Sequence, residues 1–262
     1  MSYVENQGAK IYWEEHGEGE PLVLVMGLAS TLDMWHRTRP VMKEHFRTIL
    51  IDNRGVGRSD VPAPPYSIAT MASDVAAVMD AAGIESARLF GISMGGMIAQ
   101  EFTLNYPERV RSLVLGCTNF GGRNVKPASP NVVELLRARG MMAAEEAAWA
   151  MVPHVYDKST PRERVEEDIA IRMKWFPTME GYFGQIGAIF SWEAGERLPQ
   201  IQIPTLVIHG ETDELVPPEN GRLIAELIPN AKLVLLPEAS HIFVTDKPEI
   251  SHQTILEFFQ TH

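Results

Sequence analysis

The 262-residue chain contains one cysteine, Cys117, which rules out an internal disulfide framework and any metal site built from several thiolates. Basic charge is also scarce. Against 34 Asp plus Glu there are only 23 Lys plus Arg, and the formal net charge of -11 repels nucleic acid and anionic membrane surfaces. No run approaches the roughly 18 uncharged apolar residues of a membrane span, and MSYVENQGAKIYWEEHG at the N-terminus lacks a basic segment leading into an apolar one. Repeats, low-complexity tracts and the HExxH metal motif are missing. The stretch DNRGVGRSDVP, 52–62, has neither the lysine of a phosphate-binding loop nor GxGxxG spacing, and its Asp52, Arg54, Arg58 and Asp60 read as a brace near a pocket rim. These absences lead us to expect a soluble, cytoplasmic protein with no cofactor, no metal, no nucleic-acid partner and no membrane partner.

Apolar content is ample, since 45% of the residues are hydrophobic and can fill a substantial core. Short, nearly continuous apolar runs, PLVLVMG, RTILIDNRG, SARLFGIS, VRSLVLGCT, IPTLVIHG and AKLVLLPEA, suit strands of a parallel sheet buried on both faces. Helix-like segments such as SIATMASDVAAVMDAAG and GMIAQEFTLNYPERV alternate with them, which gives a βαβ pattern. After Asn119 the strand signal stops and segments rich in Met, Trp and Ala follow, until LPQIQIPTLVIHG resumes the sheet. We therefore expect a core of residues 1–120 and 199–262 interrupted by a helical insertion, 121–198.

GISMG, residues 91–95, fits G-x-S-x-G directly between a strand and a helix. There the motif describes a sharp elbow that projects Ser93 above the sheet edge, with the neighbouring glycines allowing close approach. A hydroxyl is a weak nucleophile without an imidazole base, and the base needs an acid to fix its tautomer. Asp213 in HGETDELVPP and His241 in PEASHIF both follow strands, so they reach the same edge in the chain order Ser, Asp, His. Glu211 and Glu214 remain alternative acids, and His209 reads as structural. For the developing oxyanion the expected donors are the backbone N–H groups of Leu28, after Gly27, and Met94, after the nucleophile. The Met26 and Met94 side chains are candidates to line the pocket, as are Met141, Met142, Trp149, Trp175 and Phe183 from the insertion.

GLASTLDMW, IDNRGVGRSDVP, LFGISMGGMIAQEFTLNYPERV and IPTLVIHGETDELVPP together make the chain resemble the alpha/beta-hydrolases, and within them the 3-oxoadipate enol-lactonases and small carboxylesterases. The resemblance implies an α/β fold with a mostly parallel sheet flanked by helices and a helical cap inserted after the sixth strand. It also implies Ser93 as nucleophile, Asp213 as acid, His241 as base, and Leu28 and Met94 as oxyanion donors. Two departures stand out: Met26 occupies the position before Gly27 where the family usually has His, and Val56 that of a common loop His. Both make the rim apolar, and Arg137, Arg139 and Arg172 read as solvated helix residues. The expected activity is therefore hydrolysis of small or medium, largely apolar esters or lactones with water, through an acyl-enzyme. The alternatives are a 3-oxoadipate enol-lactonase-type hydrolase of aromatic catabolism and a non-catalytic ligand sensor retaining the triad.

Overall fold

A computed structural model describes residues 2–262. Eight strands form one sheet: β1 (Ser2–Asn6), β2 (Ala9–His16), β3 (Pro21–Val25), β4 (Arg47–Ile51), β5 (Ala87–Ile92), β6 (Val110–Gly116), β7 (Thr205–Gly210) and β8 (Lys232–Leu236), in the order β1-β2-β4-β3-β5-β6-β7-β8. Pairing is antiparallel from β1 through β2 to β4 and parallel across the rest. The six parallel strands correspond to the six apolar runs. The β1–β2 hairpin, by contrast, was not anticipated. Its signals are the inward alternation of Ala9, Ile11 and Trp13 and the Gln7-Gly8 turn, where φ is 49° and 74°.

Alternate side chains of each central strand feed two separate cores. Val23, Val25, Ile49 and Ile51 pack to one side, while Leu22, Leu24 and Leu50 pack to the other. Ten α-helices follow in chain order: α1 (Arg39–Met42), α2 (Ile68–Ala81), α3 (Met94–Asn105), α4 (Pro130–Arg139), α5 (Ala144–Val155), α6 (Arg162–Met173), α7 (Met179–Ser191), α8 (Glu219–Leu227), α9 (Phe243–Asp246) and α10 (Pro248–Thr261). Helix α2 starts where the Ser67 hydroxyl accepts from Thr70 N at 3.0 Å and buries Ile68, Met71, Ala72, Val75, Val78 and Met79 at helical spacing. Together with α3 it covers the first core, and Ile255, Phe258 and Phe259 of α10 cover the second.

Helices α4–α7 lie between β6 and β7 and form the cap after the sixth strand. Polar latches join the cap to the sheet layer. Asp168 of α6 accepts from Tyr156 Oη at 3.0 Å and Thr245 Oγ1 at 2.7 Å. Gln185 of α7, wholly buried, reaches two core loops. At the cap's trailing end, Glu101 of α3 accepts from Trp192 Nε1 at 2.8 Å and Arg197 Nη2 at 2.7 Å. None of the helices among the described residues is long and apolar enough to cross a membrane.

Candidate active site

Ser93 sits between the end of β5 and the start of α3 with φ 58° and ψ −122°, a backbone state that a non-glycine residue holds only when its surroundings enforce it. They do so through the main chain. Ser93 N donates to Gly116 O at 2.9 Å, and Ser93 O accepts from Gly96 N at 2.9 Å and from Thr118 Oγ1 at 2.7 Å. The tightness of the elbow explains Gly95, whose added Cβ would stand 2.0 Å from Val25 O. Gly27 is required for the same reason across the site, since a Cβ there would lie 2.9 Å from Ser93 Cβ. With its main chain fixed, Ser93 presents its half-buried side chain to a cavity.

Asp213, in the loop after β7, is buried, and both of its oxygens are engaged. Its Oδ1 accepts from Leu215 N at 2.9 Å and Val216 N at 2.8 Å, and its Oδ2 faces His241 Nδ1 at 2.8 Å. Burial alone would raise the carboxyl pKa; the neighbouring His241 and His209 outweigh it and lower the value to about 2. An ionised Asp213 keeps the His241 proton on Nδ1 and leaves Nε2 as the acceptor. His241 follows β8, is 4% exposed and lines the same cavity as Ser93. Among the described residues no hydrogen bond joins the Ser93 hydroxyl to the ring. Two contacts hold the His241 loop: Ser240 N donates to Asp246 Oδ2 at 2.7 Å, and Ile242 N donates to Val155 O of the cap at 2.9 Å.

The competing acids lie elsewhere. Glu211 is exposed, and Glu214 pairs with His154 Nδ1 at 2.7 Å on the surface. His209 is structural, its Nε2 2.7 Å from Val216 O beneath Asp213.

Across the cavity from the imidazole, Gly27 to Ser30 form a turn closed by Ser30 N to Gly27 O at 3.3 Å, with Ala29 at φ 57°. Three contacts from outside the turn brace it. Ala29 N donates to Gln185 Oε1 at 2.8 Å, Arg172 Nη1 donates to Ser30 Oγ at 2.8 Å, and Asn53 Nδ2 donates to Met26 O at 2.8 Å. Gln185 Nε2 in turn donates to Arg54 O at 2.8 Å, tying cap, turn and the 52–60 loop into one unit. The N–H groups of Leu28 and Met94 have no hydrogen-bond partner among the described residues, and Leu28 and Met94 border the cavity space at Ser93. Nothing in the sequence singled out Gln185 beyond its being one amide in the apolar run GYFGQIGAIF. Arg54 pairs not within its own loop, as expected, but with Asp74 of α2, through Nε at 2.7 Å and Nη2 at 2.6 Å.

Two chambers open from Ser93. One, about 60 Å³, lies toward His241 and α5–α6; the other, about 540 Å³, lies between α4, the end of α7 and the 119–128 loop. They meet at Leu28, Ser93, Leu136 and Leu215. Of the sequence-based pocket candidates, Met26 lines the smaller chamber and Met94 the larger. The cap candidates line neither. Met141 is 72% exposed, and Met142 stands half-buried outside both chambers. Trp149 packs among Ala148 and Met151 under Arg162, Trp175 stacks on Arg58 at 4.7 Å, and Phe183 packs edge-on to Tyr182. The helical positions taken for an apolar underside are instead cap core and cap surface, and the inward faces of α4–α6 present Leu136, Arg139, Met151 and Arg172. Arg137 is solvated as expected, whereas Arg139 and Arg172 are turned into the smaller chamber.

One buried group of possible metal ligands is found among the described residues, Cys117, His209 and Asp213. Its donors are already committed. Asp213 is engaged by the contacts above, and burial followed by the charge of Asp213 pushes the Cys117 thiol upward, keeping it protonated. Cys117 and His209 pack against the buried Asp213 as support.

A curated relative from Azorhizobium caulinodans named "Putative carbamate hydrolase RutD" is 32% identical over 98% of this chain and 98% of its own. A poly(3-hydroxyalkanoate) depolymerase of Ectopseudomonas oleovorans is 30% identical over 92% of this chain and 84% of its own. The crystal structure of the enol-lactonase from Burkholderia xenovorans superposes with a TM-score of 0.89 at 27% identity, covering 99% of this chain and 100% of that one. With the family model for the alpha/beta hydrolase fold matching residues 20–150 and 170–248, on either side of part of the cap, the chain belongs to the alpha/beta hydrolase family.

Proposed function

We propose that the protein is a serine-dependent hydrolase of small or medium carboxylic esters or lactones, working through an acyl-enzyme. One observation carries the reading: a hydroxyl on an enforced elbow stands where two chambers meet, with Leu28 and Met94, whose N–H groups are unengaged, bordering that space and His241, backed by the buried Asp213, lining the smaller chamber. In the first half-reaction Ser93 Oγ attacks the carbonyl carbon and its proton passes to His241 Nε2. The negative oxygen of the tetrahedral species takes hydrogen bonds from Leu28 N–H and Met94 N–H. Collapse breaks the bond to the alkoxy oxygen, which leaves with the proton from His241. In the second, water gives a proton to His241 and its oxygen bonds to the acyl carbon. The Ser93 ester bond then breaks, Ser93 regains the proton, and the acid is released. The relatives' printed names span carbamate, polyester and lactone substrates, which have in common an acyl carbonyl open to this attack.

A lactone, whose leaving oxygen stays tethered to the acyl group, is accommodated by the same steps. The buried Arg139 favours a substrate that carries an anionic group over a wholly neutral one.

An organophosphonate is expected to add to one residue, Ser93, as read by mass spectrometry, and Ser93→Ala is expected to lower turnover of short p-nitrophenyl esters by several orders of magnitude. Labelling at another residue with Ser93 intact refutes the mechanism. An absence of turnover across esters and lactones, with tight binding of an apolar ligand, supports the sensor alternative instead.

A further inference from the structure

The smaller chamber holds a charge that the protein itself leaves unpaired. Arg139 is 7% exposed, its Nε has no hydrogen-bond partner among the described residues, and its guanidinium carbon lies 5.8 Å from the centre of the Tyr182 ring. Arg172, the second guanidinium of the chamber, spends one arm on Ser30 Oγ and likewise has no carboxylate partner among the described residues. Burial, and then the charge of Arg172, lower the Arg139 pKa to about 10, so Arg139 remains cationic at neutral pH. A buried cation without a counter-charge is unfavourable, and a second, half-buried one beside it adds to the cost. Tyr156 and His241 complete the polar wall of the same chamber, a few side chains from the nucleophile. Beyond Ser93 the larger chamber has the opposite character. Met97, Val133, Ile189 and Val216 line it, and charge is confined to its outer rim at Arg123, Lys126 and Glu193.

We propose that the substrate is two-ended: a carboxylate seated against Arg139 and Arg172 in the smaller chamber, and a bulky apolar substituent in the larger one, with the scissile carbonyl at Ser93 between them. This deepens the hydrolase reading above and rests on it. A planar carboxylate offers two oxygens to a guanidinium fork and neutralises a charge that no protein group neutralises. The overall charge of -11 does not oppose this, because surface carboxylates are screened over about 8 Å while the arginines act at contact within a chamber walled by protein. The large apolar chamber distinguishes this substrate from a small dianion or a compact enol-lactone, either of which leaves most of its 540 Å³ empty.

Two matched pairs of esters test the proposal with the carboxylate on either side of the scissile bond. The first is octyl hydrogen succinate against octyl succinamate; the second is octanoyloxyacetate against octanoyloxyacetamide. In each pair a carboxamide of the same shape removes only the charge. For at least one pair kcat/KM is expected to favour the carboxylate by about tenfold or more, with the preference collapsing toward unity in Arg139→Gln and partly retained in Arg139→Lys. The ethyl or acetyl analogue of the preferred ester is expected to be about tenfold poorer than the eight-carbon one, and Val133→Trp, which intrudes on the larger chamber, is expected to erase that difference. A smaller charge preference in both pairs, or one unaffected by Arg139→Gln, overturns the proposal, as does an absent chain-length effect. If none of the four esters turns over while phosphonate still labels Ser93, the two-ended substrate is wrong and the hydrolase stands. If labelling fails too, the hydrolase reading falls with it.

Discussion

Replacing Gln185 with Leu removes one wholly buried amide that holds two loops at once. Its Oε1 accepts from Ala29 N and its Nε2 donates to Arg54 O, both at 2.8 Å, and neither backbone group has another partner. Leaving a buried polar group unsatisfied costs about 1–3 kcal/mol, so the pair costs about 2–6 kcal/mol, and Tm is expected to fall on the order of 10 °C. The catalytic effect is separate. Ala29 stands at φ 57°, a conformation alanine leaves when its N–H is released, and the preceding peptide carries the Leu28 N–H that would meet the oxyanion. Losing one such donor costs roughly 10²–10³ in kcat. Steady-state kinetics well below the lowered Tm, with KM and kcat separated, read this term: kcat drops and KM changes little. Gln185→Glu keeps an acceptor for Ala29 N while losing the amide donor to Arg54 O, so it is expected to lose stability yet recover much of kcat. A folded Gln185→Leu protein with kcat within about threefold of wild type refutes the positioning role.

Asp213 and the glycines give further expectations. Because the folded pKa of Asp213, about 2, lies below its usual 3.8, its contribution of about 2 kcal/mol is complete above pH 3.8 and is lost as pH falls toward 2. Asp213→Asn should flatten that part of the Tm-against-pH curve and lower kcat by about 10⁴, since the imidazole tautomer is no longer fixed; an unchanged acid limb contradicts the assignment. Gly95→Ala drives a methyl to 2.0 Å from Val25 O, a backbone atom that cannot yield, and is expected to cost more than about 3 kcal/mol or to prevent soluble expression. Gly187→Ala in α7 meets nothing within 4 Å and is expected to raise stability by about 0.5–1 kcal/mol in chemical denaturation, so a destabilised variant would contradict the open space seen there.

The parallel strands could be read from sequence because each is a short apolar run with no other plausible home, and Ser93 because the elbow needs glycines at fixed offsets. That Asp213 and His241 come together near Ser93 could be expected from their position after strands, a property of topology that chain order preserves. The cap was different. Its helices use Met, Trp and Phe both for their own core and for their exposed faces, so composition could not tell Met151, which lines the smaller chamber, from Met141, which is in solvent. Arg139 misled for a related reason. A charged residue on a helix is solvated by default, and only the packing of α4 against α5 and α6 turns it inward. Gln185 was invisible since its two partners are backbone groups 156 and 131 residues away.

The strap at Glu101 limits how this molecule could exchange parts with its relatives. The helix that begins beside the nucleophile carries, seven residues further on, the carboxylate that receives Trp192 and Arg197 as the chain returns from the cap to β7. A chimera that takes a foreign cap through residue 197 strips this carboxylate, 7% exposed, of two of its donors and leaves it only Asn105 Nδ2, on the very helix that follows Ser93. Crossovers placed before residue 192 keep the strap, so the transferable unit is shorter than the cap itself. Substrate range can then be recombined through α4–α6 and most of α7, while the last turn of the cap is inherited with the catalytic helix.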